Sequence, residues 1–114
     1  MATVAVGLKD SSPGQFDLKE SSPGQFAAGG PLTFATARLA RESGLAAFEA
    51  ADSRRIEVDC SGVGPADSAG MAVLIDWLAF AKRSGRSMHF GSLPEQVQAL
   101  ARISEALELL EKGV

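Results

Sequence analysis

Asp67 and Ser68 are the residues of this sequence whose types and position could do chemistry. They follow a strand-like stretch, residues 56–60, in which apolar and acidic residues alternate, and a turn rich in Gly and Pro. The apolar run that begins at Met71 comes next, so the pair lies in the first turn of a predicted helix, where exposed amides attract an anion. No histidine, lysine or second acid accompanies them. The pair is therefore typical of a hydroxyl that a partner contacts or phosphorylates, rather than one that attacks a substrate.

Enzyme, cofactor and metal chemistry find little support elsewhere in the chain. His89 is the only histidine, and no second metal ligand stands at a suitable spacing. A hydrolase that used Ser68 would lack a base and a G-x-S-x-G elbow. The glycines at 62, 64 and 70 lack both the lysine of a phosphate-binding loop and the spacing of a dinucleotide fingerprint. We expect no catalytic, cofactor or metal site, and hence no enzyme.

Length and charge restrict the function classes further. The chain has 114 residues and a net charge of −3, which predicts a single domain over residues 1–114 and argues against nucleic-acid binding. The single cysteine, Cys60, excludes an internal disulfide, and its place in the alternating stretch predicts an inward-facing apolar role. No apolar run reaches about 18 residues, and no signal peptide is recognisable. We expect a cytoplasmic protein.

A tandem repeat with a period of ten occupies residues 8–26. The segment LKDSSPGQF at 8–16 recurs as LKESSPGQF at 18–26, with Asp10 replaced by Glu20. Each copy contains Ser-Ser-Pro-Gly, which is a turn signal. We interpret the repeat as a local duplication that lengthens the first hairpin and leaves one copy redundant. Either copy could form the second strand.

Strands and helices alternate along the rest of the chain. This order predicts an α/β domain whose sheet is largely parallel at its centre, with antiparallel strands added by the N-terminal hairpin. The predicted strands are 3–8, 25–30, 54–60 and 86–91. The predicted helices open at Thr33 (with a possible break at Gly44), at Ala66 or Asp67, at a capping box of Ser92 and Glu95 around Pro94, and at Ser104.

The helix after Gly70 carries more apolar residues than one buried face needs. The expected sheet-facing stripe consists of Met71, Leu74, Ile75, Leu78 and Ala81. Val73 and Phe80 fall nearly opposite this stripe, with Trp77 on its flank. Two interpretations remain open. Neighbouring helices cover these three residues, or they form a partner-binding helix face with an aromatic anchor.

Two segments of the chain resemble the STAS domain family, named for sulfate transporters and anti-sigma factor antagonists. Residues 58–78, VDCSGVGPADSAGMAVLIDWL, resemble the motif in which Asp-Ser-(Ser/Thr/Ala)-Gly opens a helix. Residues 86–110, RSMHFGSLPEQVQALARISEALELL, are similar to the MlaB branch of that family. The resemblance spans roughly residues 30–111. It implies the STAS fold, a mixed β-sheet of four to five strands with about four helices packed mainly on one face.

The resemblance also implies a function. The MlaB branch comprises non-catalytic protein-interaction subunits that bind the cytoplasmic ATPase of an ABC complex for phospholipid transport, which maintains outer-membrane lipid asymmetry. The alternative is an anti-sigma factor antagonist, switched when an anti-sigma factor kinase phosphorylates Ser68, the position that matches the family's phosphoacceptor. Ala69 stands where the antagonists usually have Ser or Thr, as it does in MlaB-like proteins. In either case we expect Ser68 and Asp67, together with the face of Val73, Trp77 and Phe80, to meet a protein partner.

A phosphate on Ser68 has two expected consequences. The amides at the helix N-terminus would favour the added charge, whereas Asp67 and Asp59 would repel it. The charge change could expel a partner docked over the loop.

Overall fold

A mixed four-stranded sheet organises the chain. The computed structural model describes residues 14–114, so the predicted strand at 3–8 and most of the first repeat copy lie outside the described residues. The sheet has the order β1-β2-β3-β4, with β1 antiparallel to β2 and the remaining pairs parallel. This confirms the predicted α/β class. The elements are β1 (Asp17–Ser22), β2 (Gln25–Leu32), α1 (Ala37–Ala50), β3 (Arg55–Ala66), α2 (Ser68–Arg83), β4 (Ser87–Gly91), α3 (Glu95–Ile103) and α4 (Leu107–Lys112).

The second copy of the repeat forms the β1–β2 hairpin. Gly24 turns the chain with φ of +79°, a conformation that glycine adopts without steric cost. The Gly24 amide donates to Oε2 of Glu20 at 3.1 Å. Phe16, the last residue of the first copy, lies 6.1 Å from Trp77 between ring centroids. The first copy therefore contributes at least this residue to the core and is not wholly redundant.

β3 is longer than the sequence pattern predicted. It continues past Cys60 to Ala66, because residues 62–66 pair in parallel with β2. A Cβ at Gly62 would stand 3.0 Å from the carbonyl oxygen of Ala28, so glycine permits the close approach of these two strands. The loop predicted over these residues is wrong, and the strand itself leads directly to Asp67.

The core lies between one face of the sheet and the helices. Apolar side chains alternate along the strands, and the buried ones are Phe26, Ala28, Leu32, Ile56, Val58, Cys60, Met88 and Phe90. Cys60 is 1% exposed, which confirms its predicted inward orientation. Burial raises the pKa of its thiol to about 12, so the thiolate is not formed near neutral pH. Within residues 14–114, every helix is too short or too polar to cross a membrane.

α1 begins later than predicted and is not broken. The expected N-cap at Thr33 is wrong, because the helix starts at Ala37. The Thr36 hydroxyl donates to the carbonyl of Pro31 at 2.9 Å and accepts from the Thr33 amide at 3.0 Å, which stabilises a turn before the helix. Gly44 lies inside the continuous helix and is buried.

Candidate partner-binding site

Asp67 caps the N-terminus of α2. Its Oδ1 accepts hydrogen bonds from the amides of Ala69 at 2.9 Å and Gly70 at 3.1 Å. These are two of the amides that a helix leaves without internal partners at its start. The carboxylate, rather than the Ser68 hydroxyl, therefore stabilises this helix end.

The second oxygen of Asp67 connects two loops. Oδ2 accepts from the Phe34 amide at 3.0 Å, which joins the segment between β2 and α1 to the junction between β3 and α2. The Phe34 amide is the main cause that lowers the pKa of Asp67 below its ordinary 3.8, followed by the Gly70 amide. Asp67 is thus ionised at neutral pH and holds Phe34 beside the start of α2.

Ser68 is the first residue of α2, and it is exposed. Within residues 14–114 its hydroxyl makes no hydrogen bond to a histidine, lysine or acid that could activate it. A phosphate on Ser68 would find the amides of Phe34, Ala69 and Gly70 already bonded to Asp67. The favourable interaction that we expected between a Ser68 phosphate and the amides at the N-terminus of α2 is therefore largely lost. Repulsion by Asp67 remains.

Asp59 does not share this electrostatic environment. It lies seven residues before Ala66 along β3, about 23 Å at roughly 3.3 Å per residue. Its side chain accepts from the Ser61 amide at 2.9 Å, and this contact lowers the pKa of Asp59. The expected repulsion between Asp59 and a Ser68 phosphate is wrong at this distance.

Phe34 is an exposed aromatic residue beside the site. Its side chain is 85% exposed, the largest fraction among the large hydrophobic residues that the structure describes. Sequence reasoning placed Phe34 within a helix and missed it as a surface residue. The helix begins only at Ala37, so the turn of residues 33–36 directs this ring outward. The signal in the sequence was an aromatic residue two positions after the end of β2.

An apolar groove of about 480 Å³ runs between the first turns of α1 and α2. Nε of Arg41 lies 3.0 Å from Oδ2 of Asp76, and this ion pair joins the two helices across the groove. Phe34 and Ala69 connect the groove to the Ser68 junction. The lining residues are Phe34, Ala37, Arg38, Arg41, Ala69, Ala72, Val73 and Asp76.

The predicted partner face on the middle of α2 is wrong for two of its three residues. Val73 is 3% exposed and Trp77 is fully buried. The indole packs edge-on against Phe48 of α1, with centroids 5.2 Å apart and an interplanar angle of 85°. A Cβ at Gly44 would lie within the volume of the Trp77 ring, so this glycine admits the indole beneath α1. The interpretation that neighbouring helices cover this face therefore holds, because α1 packs over it.

Phe80 is half-buried and packs against the core. The Arg86 guanidinium lies 5.8 Å from the centre of its ring, and Nη1 of Arg86 donates to the carbonyl of Phe48. These contacts place Phe80 beneath a cation that also binds the end of α1. Phe80 is therefore not a free aromatic anchor of the kind that was predicted.

His89 is remote from Ser68. Its Nδ1 lies 3.6 Å from Oε2 of Glu57, its partner in the β3–β4 register. Nine residues of β3 separate Glu57 from Ala66, which is about 30 Å of strand. Among residues 14–114, no cluster of three His, Cys, Asp or Glu side chains is arranged to hold a metal ion.

Comparisons with known proteins assign the fold and the family. The family described as "Mlab, STAS domain" matches residues 18–111. No curated protein matches the sequence. Three solved structures share the fold at 13%, 14% and 17% identity.

The unphosphorylated anti-sigma factor antagonist SpoIIAA is 13% identical with a TM-score of 0.59, over 77% of this chain and 82% of that one. The phosphorylated form of SpoIIAA, a Bacillus cell fate determinant, is 14% identical with a TM-score of 0.63, over 84% and 87%. A sulfate transporter family protein from Wolinella succinogenes is 17% identical with a TM-score of 0.61, over 82% and 77%.

Proposed function

This chain belongs to the STAS domain family, and we propose that it is a non-catalytic, MlaB-like subunit that binds the cytoplasmic ATPase of a lipid-transporting ABC complex. One observation carries the proposal. The exposed Ser68 hydroxyl, the exposed Phe34 ring and the α1–α2 groove form one continuous surface at the carboxyl ends of β2 and β3. We call Ser68, Phe34 and the residues that line the groove the Ser68–Phe34 surface.

The composition of the Ser68–Phe34 surface suits a protein partner. An exposed aromatic ring next to a groove supplies the buried anchor that dominates interface energies. The alanines of the groove allow a partner side chain to approach closely, and Arg38, Arg41 and Asp76 supply a polar rim. Asp67 holds both loops of this surface in place before a partner arrives, which lowers the entropic cost of binding.

The non-catalytic part of the proposal follows from the surroundings of Ser68. A hydroxyl nucleophile needs a base within hydrogen-bond reach. His89 is about 30 Å away along the sheet, and Asp67 uses both oxygens on backbone amides. The lipid connection and the cytoplasmic location come from the family resemblance alone.

The second candidate function is that of an anti-sigma factor antagonist. Ser68 is exposed in the first turn of α2, where a kinase can reach it, and the fold is shared with phosphorylated SpoIIAA. A phosphate beside Asp67 would expel a partner by charge repulsion rather than by rearranging the loop. Ala69 favours the MlaB-like function over this one.

Binding measurements with purified proteins test the proposal. We expect the chain to bind the ATPase of the lipid-transport complex and not a serine-kinase anti-sigma factor. Ser68→Glu and Phe34→Asp should each weaken ATPase binding by about tenfold or more, equivalent to at least about 1.4 kcal/mol, because each forces a charge into a contact surface.

Ile103→Asp is the matched control, since Ile103 is 81% exposed on α3 outside the Ser68–Phe34 surface. Circular dichroism verifies that each variant is folded. Equal affinities of the three folded variants for the ATPase would show that the Ser68–Phe34 surface does not bind it. Binding to the serine-kinase anti-sigma factor and not to the ATPase would support the second candidate function, that of an anti-sigma factor antagonist.

A further inference from the structure

Gln96, in the first turn of α3, contacts the end of β3 just before the cap of α2. Its Oε1 accepts a hydrogen bond from the Ala66 amide at 2.9 Å. Ala66 is the last residue of β3, and Ser68 is the first residue of α2. Because these two residues are two positions apart, their Cα atoms are separated by at most about 7 Å. The side-chain amide of Gln96 therefore lies beside the junction that carries Ser68.

The end of β3 has a side that β4 does not reach. β4 ends at Gly91, which is paired with Asp59, so among residues 14–114 β3 has no strand partner on that side beyond Asp59. A backbone amide in this position bonds to water or to a side chain. For Ala66 the acceptor is the side chain of Gln96.

Phe34 and Gln96 flank the junction between β3 and α2. β3 lies between β2 and β4 in the sheet. Phe34 follows β2 and its amide donates to Asp67, whereas Gln96 follows β4 and accepts from Ala66. A partner that covers Ser68 therefore meets an aromatic ring on one side and the Gln96 side chain on the other.

The hydrogen bond from Ala66 determines which end of the Gln96 amide faces outward. A backbone N–H can only donate, so it bonds to Oε1, and Nε2 points away from Ala66. Gln96 is exposed, and within the described part of the chain the bond from Ala66 is the hydrogen bond of its side chain. Two N–H donors are thus presented to solvent in a fixed orientation.

We propose that Gln96 is a specificity-determining contact of the protein partner, and that its Nε2 donates to a backbone carbonyl of that partner. This role rests on the proposed function and adds the chemistry that the partner must offer beside Ser68. A neutral acceptor suits the place better than a carboxylate, because the carboxylate of Asp67 is next to Ala66 in the chain. The bond to Ala66 orients the donors in advance, which lowers the entropic cost of the contact.

Two substitutions in the full chain separate the donor of this side chain from its acceptor. Gln96→Glu keeps an oxygen for the Ala66 amide but replaces the donor with a charged acceptor, whereas Gln96→Met removes both at similar length. We expect the affinity for the ATPase of the lipid-transport complex to fall about tenfold in Gln96→Glu and about fivefold in Gln96→Met.

Arg102→Gln is the matched control. It lowers the net charge by the same amount as Gln96→Glu, at an exposed position of α3 about 9 Å along the helix from Gln96. Its affinity for the ATPase should equal that of the original chain. A loss as large as that of Gln96→Glu would attribute the effect to net charge and overturn the proposal.

Exchange of the Ala66 amide in the chain alone tests the orientation of Gln96. We expect this amide to exchange about fivefold faster in Gln96→Met than in the original chain, and to be unchanged in Gln96→Glu, which keeps the acceptor. Equally fast exchange in both variants would overturn the proposal, because the side chain would then not be oriented by Ala66.

The binding results also distinguish this role from the proposed function. If the original chain binds the ATPase and Gln96→Glu binds it equally well, Gln96 is not a contact and the proposed function stands. A loss in Gln96→Met alone would mean that Gln96 acts only by positioning Ala66, and would overturn the donor role. If the original chain does not bind the ATPase, the proposed function fails and the contact fails with it.

Discussion

The first turn of α2 and the middle of the same helix, residues 73–80, differ in their exposure to solvent. Both the first turn and the segment 73–80 were predicted to meet a partner. Ser68 at the first turn is exposed, whereas Val73 and Trp77 belong to the core. The difference comes from α1, whose Gly44 and Phe48 pack against Trp77 in the middle of α2, whereas Ser68 stays exposed.

The many apolar residues of α2 reflect its central position among the helices rather than a partner-binding face. A helix with apolar residues on most of its surface is a central helix when neighbours flank it on both sides. α2 is such a helix, because α1 and α3 pack beside it on the sheet. The accessible apolar residue of the site is Phe34, which lies in a turn that Asp67 holds in place.

Replacing the buried indole should have the largest effect on stability. We expect Trp77→Ala to lower the free energy of unfolding by about 3–5 kcal/mol, since a large ring packed against Phe48 and Phe16 is lost. Denaturant unfolding measures this value. Leu39→Ala is the control, because Leu39 is 70% exposed and should change stability by less than about 0.5 kcal/mol. Similar values for both would show that the middle of α2 is a surface after all.

Deleting one repeat copy should have an intermediate effect. Removal of residues 8–17 keeps the whole second copy, so we expect a cooperative unfolding transition. The free energy of unfolding should fall by about 1–2 kcal/mol, because the half-buried Phe16 ring is lost from Trp77. Phe16→Ala in the full chain separates the two contributions. A larger loss in the deletion than in Phe16→Ala would come from residues 8–15 or from Asp17, the first residue of β1. A non-cooperative transition would mean that both copies are structural.

Asp67→Ala should have a smaller effect on stability than either change above. The variant frees two amides of α2 and the Phe34 amide, so we expect a melting temperature lower by roughly 5 °C. Ser68→Ala should change the melting temperature less, because Ser68 is not the cap. A greater loss in Ser68→Ala would contradict the cap assignment.

The pH dependence of Asp67 has a definite sign. The pKa of this carboxyl is lower in the folded chain than its ordinary 3.8. Its stabilising contribution is therefore complete above that value and is lost as the pH falls through the folded pKa. The difference in melting temperature between the original chain and Asp67→Ala should persist at pH 5 and disappear in strong acid. A difference that vanished already near pH 5 would contradict the lowered pKa.

Sequence patterns predicted the parts of this molecule that local rules determine. The alternation in residues 56–60 predicted β3 and the burial of Cys60, and the apolar run from Met71 predicted a helix that begins near Asp67. Tertiary contacts determined the rest. The continuation of β3 depends on its pairing with β2, and the burial of Trp77 depends on the space that Gly44 leaves on another helix. Neither can be deduced from one element alone.

Hydrogen exchange in the complex tests the central claim, that a protein partner docks on the Ser68–Phe34 surface. The chain is labelled alone and when saturated with the lipid-transport ATPase, and the exchange of each segment is compared. We predict added protection in residues 33–38 and 67–70 and no change in the exposed segment 102–105 of α3 and the turn that follows. Protection confined to α3, α4 or the outer edge of β1, with none at residues 33–38 and 67–70, would contradict the account.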